Sequence, residues 1–235
     1  MASAMSAVPI VALDVPSVVA ALEIVDALGD SCRFYKVGSE LFTACGPAVV
    51  RELRARGTDV FLDLKLHDIP NTVAGGLREA ASLGARIVTV HAAGGEEMIR
   101  AAVRAADDVG NCAVFAVTLL TSLDPSAIAR IWGRGDALDV DSEVVRLADI
   151  ARSGGAAGVV CSGREARAVR ARLGASLQLL IPGIRLAGGA THDQSRTVTP
   201  AEAVAAGADY VVVGRAVTAA PDRVAAMAEI LSQLG

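Results

Sequence analysis

The densest chemistry in the chain lies in one run, Asp63-Leu64-Lys65-Leu66-His67-Asp68. Side chains alternate across a strand, so Asp63 and Lys65 point one way and Leu64 and Leu66 the other. With the leucines against a helical layer, the charged pair faces the opposite side. Asp14 and Lys36 end two earlier apolar runs, in Ala12-Leu13-Asp14 and Lys36-Val37-Gly38. His91, Thr121-Ser122, Arg185 and Gly214-Arg215 stand at the ends of later ones. A lysine beside two aspartates is held as an ammonium, which is a proton donor. A Schiff-base lysine wants desolvation or a second cation nearby, and Lys36 is such a cation. The residues alone leave both chemistries open. Asp63, His67, Asp68 and His91 are also possible metal ligands, although two lysine charges in the same place work against a divalent cation. Asp14, His91 and Ser122 make a nucleophilic triad on paper, but no GxSxG elbow surrounds the serine. The plain structural alternative is a buried ion-pair network.

A second group suits a phosphate. Gly183, Gly188-Gly189 and Gly214 let backbone N–H groups approach an oxyanion closely. Arg185 and Arg215 supply charge and can grip phosphate through two parallel hydrogen bonds, with Gln194 as a neutral donor between them. Glycine-rich loops also serve simply to turn a chain, a reading that fits Gly188-Gly189 better than Gly214-Arg215.

What must position these groups is an alternation of short β-branched runs and Ala-rich helical stretches. Strands are expected over residues 8–14, 33–38, 59–66, 86–91, 112–120, 158–161, 177–182 and 210–214. Helical stretches between them include 47–56, 74–83, 96–106, 164–173 and 201–206. Gly57, Gly84, Gly174 and Gly207 follow helical stretches, where left-handed caps are expected. Eight βα units in 235 residues predict an α/β fold, a closed (β/α)8 TIM barrel forming a single domain over 1–235. In a barrel the chemistry sits at the C-terminal ends of the strands, where these residues fall. An open doubly wound sheet would want a GxGxxG after the first strand, and Ala12-Leu13-Asp14-Val15-Pro16 has none. Residues 121–141 read as one long loop after the fifth strand, with a short helix inside it.

Composition narrows the classes further. Lys+Arg of 22 against Asp+Glu of 26 leaves a net charge of −4, and aromatics are 3% of the chain. Neither suits a nucleic-acid-binding protein. Mean hydropathy is +0.47, yet no apolar run approaches the 18 or so residues of a membrane span. Cys32, Cys45, Cys112 and Cys161 are scattered and contain no CxxC, as expected of reduced thiols in a cytoplasmic protein. The N-terminus lacks the basic region of a secretory signal.

The run Asp63-Leu64-Lys65-Leu66-His67-Asp68-Ile69-Pro70-Asn71-Thr72 resembles the signature of the orotidine 5′-phosphate decarboxylase family. Ala12-Leu13-Asp14, Lys36-Val37-Gly38, His91-Ala92-Ala93-Gly94-Gly95, Leu120-Thr121-Ser122, Pro182-Gly183-Ile184-Arg185, Asp193-Gln194 and Val213-Gly214-Arg215 follow in family order. The DxKxxD alone is shared with sugar-phosphate relatives on the same barrel, whereas the full set is specific. The resemblance implies cofactor-free conversion of orotidine 5′-monophosphate (OMP) to UMP and carbon dioxide, the last step of de novo pyrimidine synthesis. It implies a charged tetrad of Lys36, Asp63, Lys65 and Asp68, with Lys65 protonating C6 of the pyrimidine. It implies a homodimer in which Asp68 reaches the partner's site. Asp14, Lys36, Asp68 and Thr72 would hold the ribose. Thr121 and Ser122 would contact the pyrimidine. Arg185, Gln194, Gly214 and Arg215 would hold the phosphate, with Ile69 and Pro182 also against the substrate. The alternative is an Mg²⁺-dependent sugar-phosphate decarboxylase or aldolase of the same group, in which an acidic residue serves where this chain has Lys36. A non-catalytic nucleotide-binding protein on the same scaffold is the second alternative.

Overall fold

The computed structural model describes residues 7–133, 138–186 and 197–235. Eight parallel strands close on themselves in sequence order: β1 Val8–Ala12, β2 Phe34–Gly38, β3 Asp59–Leu66, β4 Ile87–His91, β5 Ala113–Val117, β6 Gly158–Val160, β7 Gln178–Ile181 and β8 Tyr210–Val213. Pairing of Val8–Val11 with Tyr210–Val213 joins the last strand to the first. The helices among the described residues are α1 Val18–Leu28, α2 Ser39–Cys45, α3 Ala48–Ala55, α4 Pro70–Ser82, α5 Gly95–Val109, α6 Pro125–Ile131, α7 Val140–Ser153, α8 Ala166–Leu173, α9 Pro200–Ala205, α10 Arg215–Thr218 and α11 Arg223–Leu234. The expected barrel is therefore present.

Period-two alternation divides each strand between two cores. Val11, Tyr35, Val37, Val60, Leu62, Val88, Val90, Leu179 and Val213 face outward into the layer shared with the helices. Ile10, Phe34, Phe61, Ile87, Phe115, Leu180 and Val212 fill the barrel interior. Tyr210 meets Phe34 and Phe115 edge-on, with ring centroids 6.2 and 5.8 Å away. Gly158 makes room for this aromatic layer, since a Cβ there would lie 2.3 Å from the Phe115 ring. The interior is thus a packed plug, and the next inward position up each strand is where side chains meet the mouth.

Several boundaries differ from the sequence expectation. β5 stops at Val117 rather than continuing to 120; Thr118 just beyond it still donates its N–H and its hydroxyl to the Val160 carbonyl, at 3.1 and 2.9 Å. α4 begins at Pro70, four residues before the expected start, with proline in the first turn, where its missing N–H costs nothing. The short helix expected after β5 is α6, capped by Asp124, whose carboxylate accepts the Ala127 N–H at 2.8 Å. Gly57, Gly84, Gly174 and Gly207 all take positive φ at the ends of helical stretches, as expected.

Candidate active site at the strand C-termini

A cavity of about 590 Å³ opens at the C-terminal end of the barrel. Its floor is the interior apolar layer, with Ala12, Phe61, Val117, Val160, Leu180 and Val212. One wall carries Asp14, Lys36, Asp63 and Lys65; another carries Thr121 and Ser122; a third carries Pro182, Gly183, Arg185, Gly214, Arg215 and Thr218. Charge, neutral polar groups and phosphate-type donors therefore occupy separate sides of one space.

The charged wall is a chain of ion pairs. Lys36 Nζ lies 2.8 Å from Asp14 Oδ1 and 3.9 Å from Asp63 Oδ2. Lys65 Nζ lies 2.8 Å from the same Asp63 Oδ2. Lys36 and Asp63 are only 12% and 13% exposed, so water screens their pair little. Gly38 leaves the space that Lys36 uses: a Cβ there would stand 2.9 Å from its Nζ.

Strand alternation alone does not account for how Asp63 and Lys65 come together. Leu62 pairs with Val88, but the next partner of β4, Val90, is Leu66. Asp63, Leu64 and Lys65 thus stand opposite the single residue Thr89, an enlarged bulge of the kind found beside functional sites. Lys65 takes φ +51° inside it. For a residue with a Cβ that conformation costs about 1–2 kcal/mol. Leu64 and Leu66 still pack outward against the helical core, as expected. Thr89, absent from the sequence-based site, is fully buried, and its hydroxyl donates to Asp63 Oδ1 and accepts the Lys65 N–H. A threonine inside an apolar strand carries no signal of such a role, because β-branched residues are ordinary there.

The remaining expected residues divide. Asp68 is exposed, and its Oδ1 accepts the Ile69 N–H at 2.6 Å. Ile69 is 67% exposed and Thr72 lies in the first turn of α4. None of the three lines the cavity of its own chain, and the Lys65 ammonium pairs with Asp63 rather than Asp68. Gln194, Asp193 and Gly188-Gly189 lie outside the described residues. His91 is also away from the cavity lining and stacks at 5.5 Å on His67, so the paper triad with Asp14 and Ser122 does not assemble there. Burial, then the neighbouring His67 and Lys65, hold the His91 imidazole below its ordinary value, while Asp63 acts in the opposite sense.

The phosphate-type wall is tied together by backbone. Ile184 forms a parallel bridge with Val198; the Arg185 N–H donates to the Val198 carbonyl at 3.0 Å. The Val198 side chain in turn packs on Gly163, after β6. Glu165 in that loop is buried and accepts the Ser162 N–H at 3.1 Å. Gly163 and Val198 were not legible as site-supporting residues in the sequence, because their contact joins segments 35 positions apart.

Known proteins share this architecture. A family model described as Orotidine 5'-phosphate decarboxylase / HUMPS family matches residues 8–230. An orotidine 5'-phosphate decarboxylase of Anaeromyxobacter sp. (strain K) is 52% identical over 223 residues, covering 95% of this chain and 96% of the relative. That of Halorhodospira halophila is 49% identical over 226 residues, covering 96% and 94%. The crystal structure of the orotidine 5'-phosphate decarboxylase from Lactobacillus acidophilus superposes with a TM-score of 0.86 at 36% identity, covering 98% of this chain and 99% of that one. With nearly its whole length matched in sequence and in shape, the chain belongs to the orotidine 5'-phosphate decarboxylase / HUMPS family.

Proposed function

We propose that this protein is an orotidine 5′-phosphate decarboxylase, converting OMP to UMP and carbon dioxide in pyrimidine biosynthesis without a cofactor. The observation that carries the reading is the Lys36–Asp63–Lys65 array, two ammonium groups sharing one largely buried carboxylate oxygen above an apolar floor. The curated relatives at about half identity carry the same activity in their names.

In this reading the pyrimidine lies over the apolar floor with its C6 carboxylate toward Asp63. The C6–carboxylate bond breaks, carbon dioxide leaves, and the electron pair stays on C6. Lys65 Nζ donates its proton to C6 and becomes a neutral amine. Its ammonium, fixed before the reaction, stabilises charge that develops only in the transition state. Asp63 holds that ammonium in place and raises the energy of the bound carboxylate. Lys36 and Asp14 hold the ribose, while Thr121 and Ser122 face the ring. Arg185, Gly214 and Arg215, with Gln194 beside them and Pro182 at the edge, hold the phosphate. Phosphate binding energy, released far from the breaking bond, positions the ring.

The same residues weigh against the Mg²⁺-dependent alternative. Asp14 and Asp63, the carboxylates a divalent cation would use, are already bridged by Lys36 Nζ. Displacing that ammonium would be the first cost of binding a metal.

The reading includes a homodimer in which Asp68, Ile69 and Thr72 complete the partner's site. It is supported by their exposed position at the head of α4, beside an open groove between α4 and α5 lined by Pro70, Asn71 and Arg104. It also takes residues 1–235 as one domain in the cytoplasm. No helix among the described residues is long and apolar enough to cross a membrane.

The test is Lys65→Ala. Turnover of OMP is expected to be lost, with UMP binding still measurable by calorimetry. Near-parental turnover would remove Lys65 as the proton donor.

A further inference from the structure

We propose that Thr89 is a positioning residue that fixes both the geometry of Lys65 and the orientation of the Asp63 carboxylate, an inference that rests on the catalytic reading of those two residues. Thr89 lies midway along β4, fully buried, with Val88 and Val90 turned outward on either side. Its hydroxyl has one proton to give and lone pairs to receive. It uses both. It donates to Asp63 Oδ1 at 2.9 Å and accepts the Lys65 N–H at 2.9 Å.

The second bond answers a problem created by the bulge. Three residues of β3 stand opposite one of β4, so the regular ladder is interrupted between Leu62 and Leu66. At Lys65 the backbone N–H donates to the Thr89 hydroxyl. That bond holds the backbone at a left-handed φ that an L-residue does not otherwise favour. The first bond sorts the two oxygens of Asp63. With Oδ1 engaged by Thr89, Oδ2 is left for both ammonium groups, Lys65 at 2.8 Å and Lys36 at 3.9 Å. One hydroxyl therefore couples the main chain of the proton donor to the carboxylate that aims its side chain.

Removing the hydroxyl while keeping the shape would leave a donor and an acceptor without their partner in a half-buried site. The bulge would be free to relax and the Asp63 carboxylate free to rotate. The phosphate contacts lie on another wall of the cavity, and Lys36, on the ribose side, keeps its 2.8 Å bond to Asp14 whichever way Asp63 turns. The effect should therefore fall on kcat and not on KM.

The experiment compares Thr89→Val and Thr89→Ser with the parent and with Lys65→Ala, using OMP turnover normalised to UMP-binding sites. Thr89→Val should lower kcat roughly ten- to a hundredfold, with KM within about threefold, as expected for loss of one or two hydrogen bonds to a charged group. Thr89→Ser, which keeps the hydroxyl, should remain within about threefold of the parent in kcat. If Thr89→Val does not fold, Thr89→Ala takes its place and the contrast with serine decides by the same criteria. Parental kcat in the hydroxyl-free variant overturns the proposal, as does an equal loss in the serine variant or a change confined to KM. Turnover by Lys65→Ala would overturn the underlying catalytic reading instead. An inert Lys65→Ala beside a fully active Thr89→Val would overturn the Thr89 proposal alone.

Discussion

Gly163→Ala tests the phosphate wall from a position that never touches substrate. Gly163 is buried, and it is not among the glycines at positive φ, so alanine fits its backbone. The new Cβ would stand 2.6 Å from Val198 Cγ2 and 2.8 Å from Cγ1. Ordinary contact begins at 3.4 Å, so Val198 must retreat by about 0.8 Å. The backbone of Val198 accepts the Arg185 N–H at 3.0 Å and donates to the Gly183 carbonyl at 3.4 Å. The retreat therefore displaces the segment that carries Arg185. Overpacking of this kind costs about 1–3 kcal/mol. The free protein relieves it by letting the loop move, so the cost returns when a phosphorylated ligand requires the loop in place. UMP affinity should fall about five- to a hundredfold, at about 1.4 kcal/mol per tenfold. Uridine, which lacks the phosphate, should change by less than about twofold because its contacts lie on the other walls. Adding Val198→Ala removes the two shortest contacts, leaving only its Cβ at 3.2 Å, and should restore UMP binding to within about threefold, a coupling expected of residues that touch. Competitive inhibition constants for UMP and uridine measure all three. Parental UMP affinity in the single variant would refute the reasoning, as would equal loss for both ligands or no recovery in the double variant.

Three further outcomes follow from the same geometry. Gly158→Ala places a Cβ 2.5 Å from the Gln178 carbonyl and 2.3 Å from Phe115, so neither backbone nor ring can yield cheaply. It should destabilise the barrel by at least about 3 kcal/mol, read from denaturant midpoints, and a loss under about 1 kcal/mol would contradict the packed interior layer. Arg215→Ala should weaken phosphorylated ligands about ten- to a hundredfold while sparing uridine; parallel losses would count against a phosphate role. The His91 imidazole sits below its ordinary 6.5, chiefly through burial. The unfolded chain then binds the proton first as the pH drops, so the stabilising contribution is complete above about pH 6.5 and is lost as pH falls through the folded value. The melting temperature should decline from pH 7 toward pH 5, less steeply in His91→Gln, and identical slopes would contradict the assignment.

The barrel was legible because each strand is apolar on both faces while the helices between them are not. That contrast marked all eight strands, most of them to within two residues. The walls of the site were legible for a related reason: a barrel collects its strand ends on one rim, so Asp14, Lys36, Asp63, Lys65, Arg185 and Arg215 had to converge. What was not legible depends on register and on long-range contact. The expectation that Asp63 and Lys65 share a face was met through a bulge rather than through simple alternation, and nothing in Asp63-Leu64-Lys65 announces three residues opposing one. Thr89 gave no sign because threonine is ordinary in a strand. The early start of α4 was hidden because proline reads as a breaker, although it is well suited to a helix's first turn. Gly163 reads as one more loop glycine, because the Val198 side chain that packs on it comes from a distant segment.

The most direct measurement follows the ultraviolet absorbance of OMP mixed with the purified protein, with and without excess EDTA. Rapid conversion to UMP at equal rates in both is the predicted result. Conversion abolished by EDTA would contradict a mechanism carried by Lys36, Asp63 and Lys65 alone, and no conversion by the folded protein would contradict the decarboxylase assignment itself.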